Sequence, residues 1–230
     1  MEFIAEIGLN YNANKGLISE MVRLAASSGA DFAKLQLGWR DKKGEINHLT
    51  KDDINSFIYI CEYYQIKPLF SVFHSQAWEM LKSVNKQIDV IKIASRTLKD
   101  DKELIEDIYR TVERLIISTG MESINEAKNH NINGDFLWCV AKYPALPKDL
   151  HSMPVDFKLD GYKGFSDHSQ GISASLISIA RGAEIIERHF TLDKSDTTIR
   201  DHALSSTPEE FHQLVSLGRE INKLYGTLNA

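Results

Sequence analysis

The sequence predicts an α/β protein of the (β/α)8 TIM-barrel class, and three observations predict it. Short apolar runs alternate with longer amphipathic segments along the whole chain. Eight such βα units follow one another with no linker between them. The first run leads into Gly8-Leu9-Asn10-Tyr11-Asn12, with neither the GxGxxG turn nor the Walker loop that an open doubly wound sheet usually carries there. Residues 1–230 therefore read as a single barrel domain.

Each element has a local reason. Phe3 to Ile7 is the first strand, and Leu17, Met21, Leu24 and Ala25 recur at helical spacing after it. Phe32 to Gln36 is the second. Thr50 can cap a helix that carries Ile54, Phe57, Ile58 and Cys61 on one face. Pro68 to Val72 is the third strand, followed by Ala77, Met80, Leu81 and Val84 on a helix. Val90 to Ala94 is the fourth, and Asp100 with Glu103 reads as a capping box opening the next helix. Leu115 to Ser118 is the fifth, and Ser123 with Glu126 repeats the cap signature. Phe136 to Val140 is the sixth, with a proline-containing connection beyond it. Gly161 to Phe165 is the seventh, Ile172 to Ala180 its helix, and Glu184 to Glu187 the eighth. Thr207-Pro208-Glu209-Glu210 opens the last helix with a cap, a first-turn proline and the matching glutamate.

Bulk properties narrow the function. Apolar residues make up 43% and charged residues 26%, and the net charge of -5 gives no electrostatic reason to expect nucleic acid or an anionic membrane. The two cysteines, Cys61 and Cys139, are far apart in apolar runs and read as buried free thiols. Met1 to Glu6 passes straight into a strand, with no basic leader and no long apolar stretch, so a cytoplasmic protein is expected.

Barrel chemistry sits at the C-terminal ends of the strands. Glu6 lies there on the first strand, Lys34 and Gln36 on the second, Lys92 and Ser95 on the fourth, and Ser118 on the fifth. Tyr143 follows the sixth, Ser166-Asp167-His168 ends the seventh, and Glu187-Arg188-His189 ends the eighth. Lys34 and Lys92 are each embedded in an apolar strand, where an unpaired ammonium is costly, so an anion is expected between them. Ser95, Ser118 and Ser166 could complete a phosphate or carboxylate cradle. His168 and His189 could share a metal, although structural and acid–base roles remain open for either.

These residues resemble those of the sialic acid synthase (NeuB) family. The resemblance rests on Ile4-Ala5-Glu6-Ile7-Gly8 with Asn10 and Asn12, and on Gly29-Ala30-Asp31 followed by Lys34 and Gln36. It continues through Lys92-Ile93-Ala94-Ser95, Ser118-Thr119-Gly120-Met121 and Cys139 with Tyr143-Pro144. Its most specific part is Gly164-Phe165-Ser166-Asp167-His168, then the run from Ile186 to Asp193, then Asp201-His202. The resemblance implies condensation of phosphoenolpyruvate with an aldose to give a 2-keto-3-deoxy sugar acid and phosphate. It implies a divalent metal, Mn2+ or Mg2+, on His168 and His189. Lys34, Lys92, Ser95, Ser118 and Ser166 would bind phosphoenolpyruvate. Gln36, Tyr143 and Asp201 would face the sugar, and Glu6, Glu187 and Asp201 would be the candidate catalytic carboxylates. A homodimer and a sugar acid for surface polysaccharide follow from the same resemblance.

Departures from the family pattern bear on the acceptor. Val72 stands where a hydroxyl is expected, Thr97 where a sugar-contacting glutamate is usual, and Ala141 where a polar residue is usual. Family members usually continue into a small antifreeze-like (SAF) domain; none is expected here, and a separate chain could supply it. The acceptor is therefore expected to differ from N-acetylmannosamine. The alternatives are a lyase or aldolase using Lys92 as an imine-forming amine, and a non-catalytic barrel acting as a binding subunit.

Overall fold

In the computed structural model, which describes residues 1–228, eight parallel strands close into one barrel in sequence order. The strands are β1 (Glu2–Gly8), β2 (Phe32–Leu37), β3 (Lys67–Val72), β4 (Val90–Ile93), β5 (Arg114–Ser118), β6 (Asp135–Cys139), β7 (Gly164–Asp167) and β8 (Ile185–His189). The helices between and after them are α1 (Lys15–Ser27), α2 (Lys51–Tyr63), α3 (Ser75–Lys82), α4 (Ser95–Asp100), α5 (Lys102–Thr111), α6 (Ile124–Lys128), α7 (Ser173–Ala180) and α8 (Pro208–Leu228). The β6–β7 connection carries only a short 3-10 helix, Pro147–Leu150. Among the described residues no helix is long and apolar enough to cross a membrane.

Alternation along the strands builds two apolar layers. Outward residues such as Ala5, Phe70, Ile91, Ile117, Phe165 and Ile186 pack against the helices in one large core. Inward residues Ile4, Phe32, Leu69, Ile116, Leu137 and Ile185 form a separate plug inside the barrel, with Val90 beside it. Each such buried side chain contributes roughly 1.5–3 kcal/mol. The barrel interior is therefore filled below and open for chemistry only above the plug.

The expected caps at Thr50 and Ser123 are both present as reciprocal capping boxes, and Thr207 and Glu210 exchange the same pair of bonds at α8. Most strand ends shift from expectation by one or two residues, β8 for example running Ile185–His189 rather than Glu184 to Glu187, and two boundaries differ for a local reason. Asp101, rather than Asp100, caps α5 by accepting from Leu104 N, because Asp100 still belongs to the short helix α4. β7 begins at Gly164 rather than Gly161, because Gly161 adopts a positive φ of 79° and Tyr162 N bonds back to Phe157 O, closing a turn. Gly164 is itself required: a Cβ there would lie 2.0 Å from Ile185 O on β8.

Candidate active site

Two residues beyond each member of the plug, and beyond Val90 on β4 and Gly164 on β7, the same inward face turns polar. Ile4 is followed by Glu6, Phe32 by Lys34, Leu69 by Ser71, Val90 by Lys92, Ile116 by Ser118, Leu137 by Cys139, Gly164 by Ser166 and Ile185 by Glu187. All eight of these second residues line a single cavity of about 550 Å3. Period-two geometry thus converts a one-residue pattern repeated on every strand into a polar floor above a dry plug.

The charges of that floor are paired with one another. Lys34 Nζ lies 3.0 Å from Glu6 Oε2 and 3.2 Å from Glu187 Oε2, and it donates to Ser71 Oγ at 2.8 Å. Lys92 Nζ donates to Ser118 Oγ at 2.6 Å and lies 3.5 Å from Glu187 Oε1. Ser166 Oγ donates to Glu187 Oε1 at 2.7 Å, and Gln36 Nε2 donates to Glu6 Oε1 at 2.6 Å. The anion expected between the two lysines is therefore the chain's own Glu187 carboxylate. This corrects the inference that the lysines by themselves call for a bound anion.

The two lysines differ electrostatically. Burial draws both below the ordinary lysine range, but Glu187 and Glu6 together overcome it at Lys34, whose pKa ends up raised. At Lys92 burial prevails over the attraction of Glu187, with Lys34 adding repulsion, and the pKa ends up lowered. Burial opposes ionisation of Glu187, yet the two ammonium groups and the Ser166 hydroxyl hold it far below the ordinary carboxylate range.

Above the floor stand the two histidines. Their ring centroids are 5.6 Å apart, and Tyr143 lies across both, 4.1 Å from His168 and 5.9 Å from His189. His168 Nδ1 donates to Val140 O at 2.8 Å, which directs its other nitrogen away from the backbone. Burial pushes the His168 pKa down to about 4, so its imidazole is neutral at physiological pH, as metal ligation requires. His189 Nδ1 is buried without a hydrogen-bond partner, as is Asp201 Oδ1, and His189 Nδ1 lies 4.0 Å from Asp201 Oδ2. Among the described residues no group of three or more His, Cys, Asp or Glu side chains is arranged around one point. The fit to a divalent ion is thus a two-imidazole one, with the remaining positions left to other donors.

All twelve residues singled out in the sequence line this cavity: Glu6, Lys34, Gln36, Lys92, Ser95, Ser118, Tyr143, Ser166, His168, Glu187, His189 and Asp201. Sequence reasoning missed several others. Ser71 is one, and strand alternation could have found it. Val72 faces the helix layer, so its presence costs the cavity no hydroxyl, because Ser71 supplies one. Thr97 does not line the cavity and instead donates to Val72 O at 3.3 Å. Ala141 does line it and offers no side-chain hydrogen bond there. Arg96 and Arg200, also missed, stand at the mouth over Trp39 and Tyr143, at 5.6 and 4.8 Å from the ring centroids. No local signal in the sequence marks either arginine.

Comparison with known proteins places this architecture. The chain is 33% identical to an uncharacterised protein of Methanocaldococcus jannaschii, over 97% of this chain and 72% of that one. It is 30% identical to the N,N'-diacetyllegionaminic acid synthase of Campylobacter jejuni, over 97% of this chain and 77% of that one. Among solved structures it superposes with a TM-score of 0.85 on an N-acetylneuraminic acid (sialic acid) synthetase of Leptospira borgpetersenii in complex with citrate. That match has 28% identity and covers 97% of this chain and 84% of the other. The NeuB family model matches residues 44–230. This barrel, with its polar floor and histidine pair, belongs to the NeuB family.

Proposed function

We propose that the protein condenses phosphoenolpyruvate with an aldose, releasing phosphate and a 2-keto-3-deoxy sugar acid. The observation that carries the reading is the joint presence, in one cavity, of two buried lysines, several serine hydroxyls and a pair of imidazoles. Lys34, Lys92, Ser95, Ser118 and Ser166 bind the phosphate and carboxylate groups of phosphoenolpyruvate. For this Lys34, Lys92 and Ser166 exchange part of their contact with Glu187 and Glu6 for contact with the ligand. His168 and His189 hold a divalent ion, Mn2+ or Mg2+, which when bound polarises the aldehyde as a Lewis acid.

The bond changes follow from the substrates. The methylene carbon of phosphoenolpyruvate attacks the aldehyde carbon, and its neighbouring carbon becomes cationic. Water adds there, and the tetrahedral carbon then expels phosphate to leave the ketone. Glu6 and Glu187 face that carbon from the floor and orient the water and take its proton. Gln36, Tyr143 and Asp201, higher in the cavity, face the sugar. Ala141 in the lining, and Thr97 turned to Val72 O rather than into the cavity, leave fewer polar contacts on the acceptor side, and the acceptor differs from N-acetylmannosamine.

The test is phosphate release from phosphoenolpyruvate with a panel of N-acetylhexosamines, shorter aldoses and phosphorylated aldoses. Release that needs both an aldose and Mn2+, and that is lost in His189→Ala, supports the reading. Efficient turnover of N-acetylmannosamine contradicts the acceptor assignment, and aldose-independent release contradicts the condensation. The lowered pKa of Lys92 favours one second reading, an imine-forming aldolase, which borohydride trapping of the protein with pyruvate would detect.

A further inference from the structure

Asp167 and Arg188 interleave with the site residues in Ser166-Asp167-His168 and Glu187-Arg188-His189, yet neither lines the cavity. They are cross-strand neighbours on β7 and β8 and point outward, into the apolar layer between barrel and helices. Both side chains are fully shielded from solvent, and Arg188 Nη1 donates to Asp167 Oδ2 at 2.6 Å. Neighbouring outward positions on these strands are Phe165 and Ile186. A buried ion pair in such a layer is weak evidence for stability, because apolar replacements of similar size commonly serve as well. What apolar residues cannot supply is direction.

The guanidinium uses that direction. Its Nε donates to Ser206 Oγ at 2.9 Å, and its Nη2 donates to Leu204 O at 2.9 Å and Ser169 O at 3.1 Å. Asp167 Oδ1 accepts from Ser169 N at 2.8 Å, and Oδ2 accepts from Ser175 Oγ at 2.6 Å. One buried pair therefore pins the residue after His168, the start of α7 and both ends of the Leu204–Ser206 stretch. That stretch in turn holds Asp201, because Ser205 Oγ donates to Asp201 O at 2.6 Å, and it is tied to β8 by Ser206 N donating to His189 O at 2.8 Å.

We infer that Arg188, backed by Asp167, is a positioning residue: from behind the barrel wall it sets Asp201 and His168 relative to His189. The catalytic half of this statement rests on the cavity being the active site; the structural half does not.

The test compares three forms of the full chain: wild type, the apolar pair Asp167→Leu with Arg188→Leu, and Arg188→Lys. Lysine keeps a charge for Asp167 but cannot span Leu204, Ser206 and Ser169 together. Amide hydrogen exchange is read over residues 200–206 and over β1 to β4, alongside steady-state kinetics and Mn2+ affinity. The expected result for both variants is exchange in 200–206 faster by roughly tenfold or more, with β1 to β4 unchanged. Mn2+ affinity and kcat fall by about tenfold or more. Wild-type exchange in 200–206 together with wild-type Mn2+ affinity in the apolar pair overturns the inference. Should the apolar pair not fold, the same wild-type result in Arg188→Lys overturns it. If the wild-type protein proves inactive as a synthase, the exchange and Mn2+ measurements still decide the positioning claim separately.

Discussion

Lys34 and Glu187 meet across the cavity floor with Nζ and Oε2 3.2 Å apart, both almost wholly shielded from solvent. Glu187 also stands 3.5 Å from Lys92, so one carboxylate faces two ammonium groups. Glu187→Gln keeps the shape and removes the charge. Breaking a buried pair in this way costs about 3–5 kcal/mol, with glutamine's remaining hydrogen bonds placing the loss near the lower end. Thermal unfolding should show the variant less stable than wild type without added anions. Inorganic phosphate should raise its melting temperature more than that of wild type, because the lysines then lack their internal partner.

The two lysines should not be equivalent. Lys34 faces two carboxylates and Ser71, whereas Lys92 faces one carboxylate and Ser118. Lys34→Met leaves more uncompensated negative charge and should be the more destabilising change by denaturant unfolding. Both should raise KM for phosphoenolpyruvate by roughly ten- to a hundredfold, the range of a lost charge-assisted hydrogen bond.

Gly164→Ala tests the close approach of β7 to β8. The added methyl would sit 2.0 Å from Ile185 O and 2.7 Å from Ile185 C, both backbone atoms that cannot yield without parting the strands. The loss should exceed the roughly 1–3 kcal/mol of ordinary overpacking, measured by chemical denaturation or as failure to accumulate folded protein.

At the opposite end of the barrel, Arg114 on β5 bonds Glu2 on β1, with Nη2 to Oε2 at 2.5 Å, and Asp135 on β6. The hydrogen bond from Arg114 holds the Glu2 carboxyl below its ordinary value, against partial burial. A depressed acid contributes stability above its unfolded pKa, near 4.5, and that contribution is lost as pH falls through the folded value. Arg114→Leu should therefore cost about 1 kcal/mol at neutral pH, as suits a half-exposed cluster. The difference from wild type should shrink as pH drops below about 4.5.

Much of this was legible in the sequence because a barrel repeats one local rule. Apolar runs located all eight strands, and a polar residue at the end of nearly every strand located the cavity, the exception being Ser71 on β3. Where the rule weakens, so does the reading. Gly161 and Tyr162 look like a strand start but close a turn, since the hydrogen bond to Phe157 that decides it is not a pattern feature. Residue types alone pointed to an anion between Lys34 and Lys92, but not to Glu187 as that anion, because the pairing depends on three strands meeting. Arg96 reaches the mouth from the first turn of the short helix α4 and Arg200 from a short 3-10 helix after β8, neither long enough to show a periodicity. Asp167 and Arg188 lie beside His168 and His189 in sequence, and only the outward direction of their side chains separates their role from that of the histidines.

Formation of a carbon–carbon bond between phosphoenolpyruvate and an aldose in this cavity is what sets the proposed reaction apart from simple hydrolysis of phosphoenolpyruvate. The most direct measurement is mass spectrometry of the organic product from wild-type protein, phosphoenolpyruvate, Mn2+ and the aldose panel, run in ordinary and in oxygen-18 water. The expected product is a single acid whose mass is the sum of both substrates and one water less phosphate, with one heavy oxygen retained from water before ketone exchange. Pyruvate and unchanged aldose as the only organic products would contradict it.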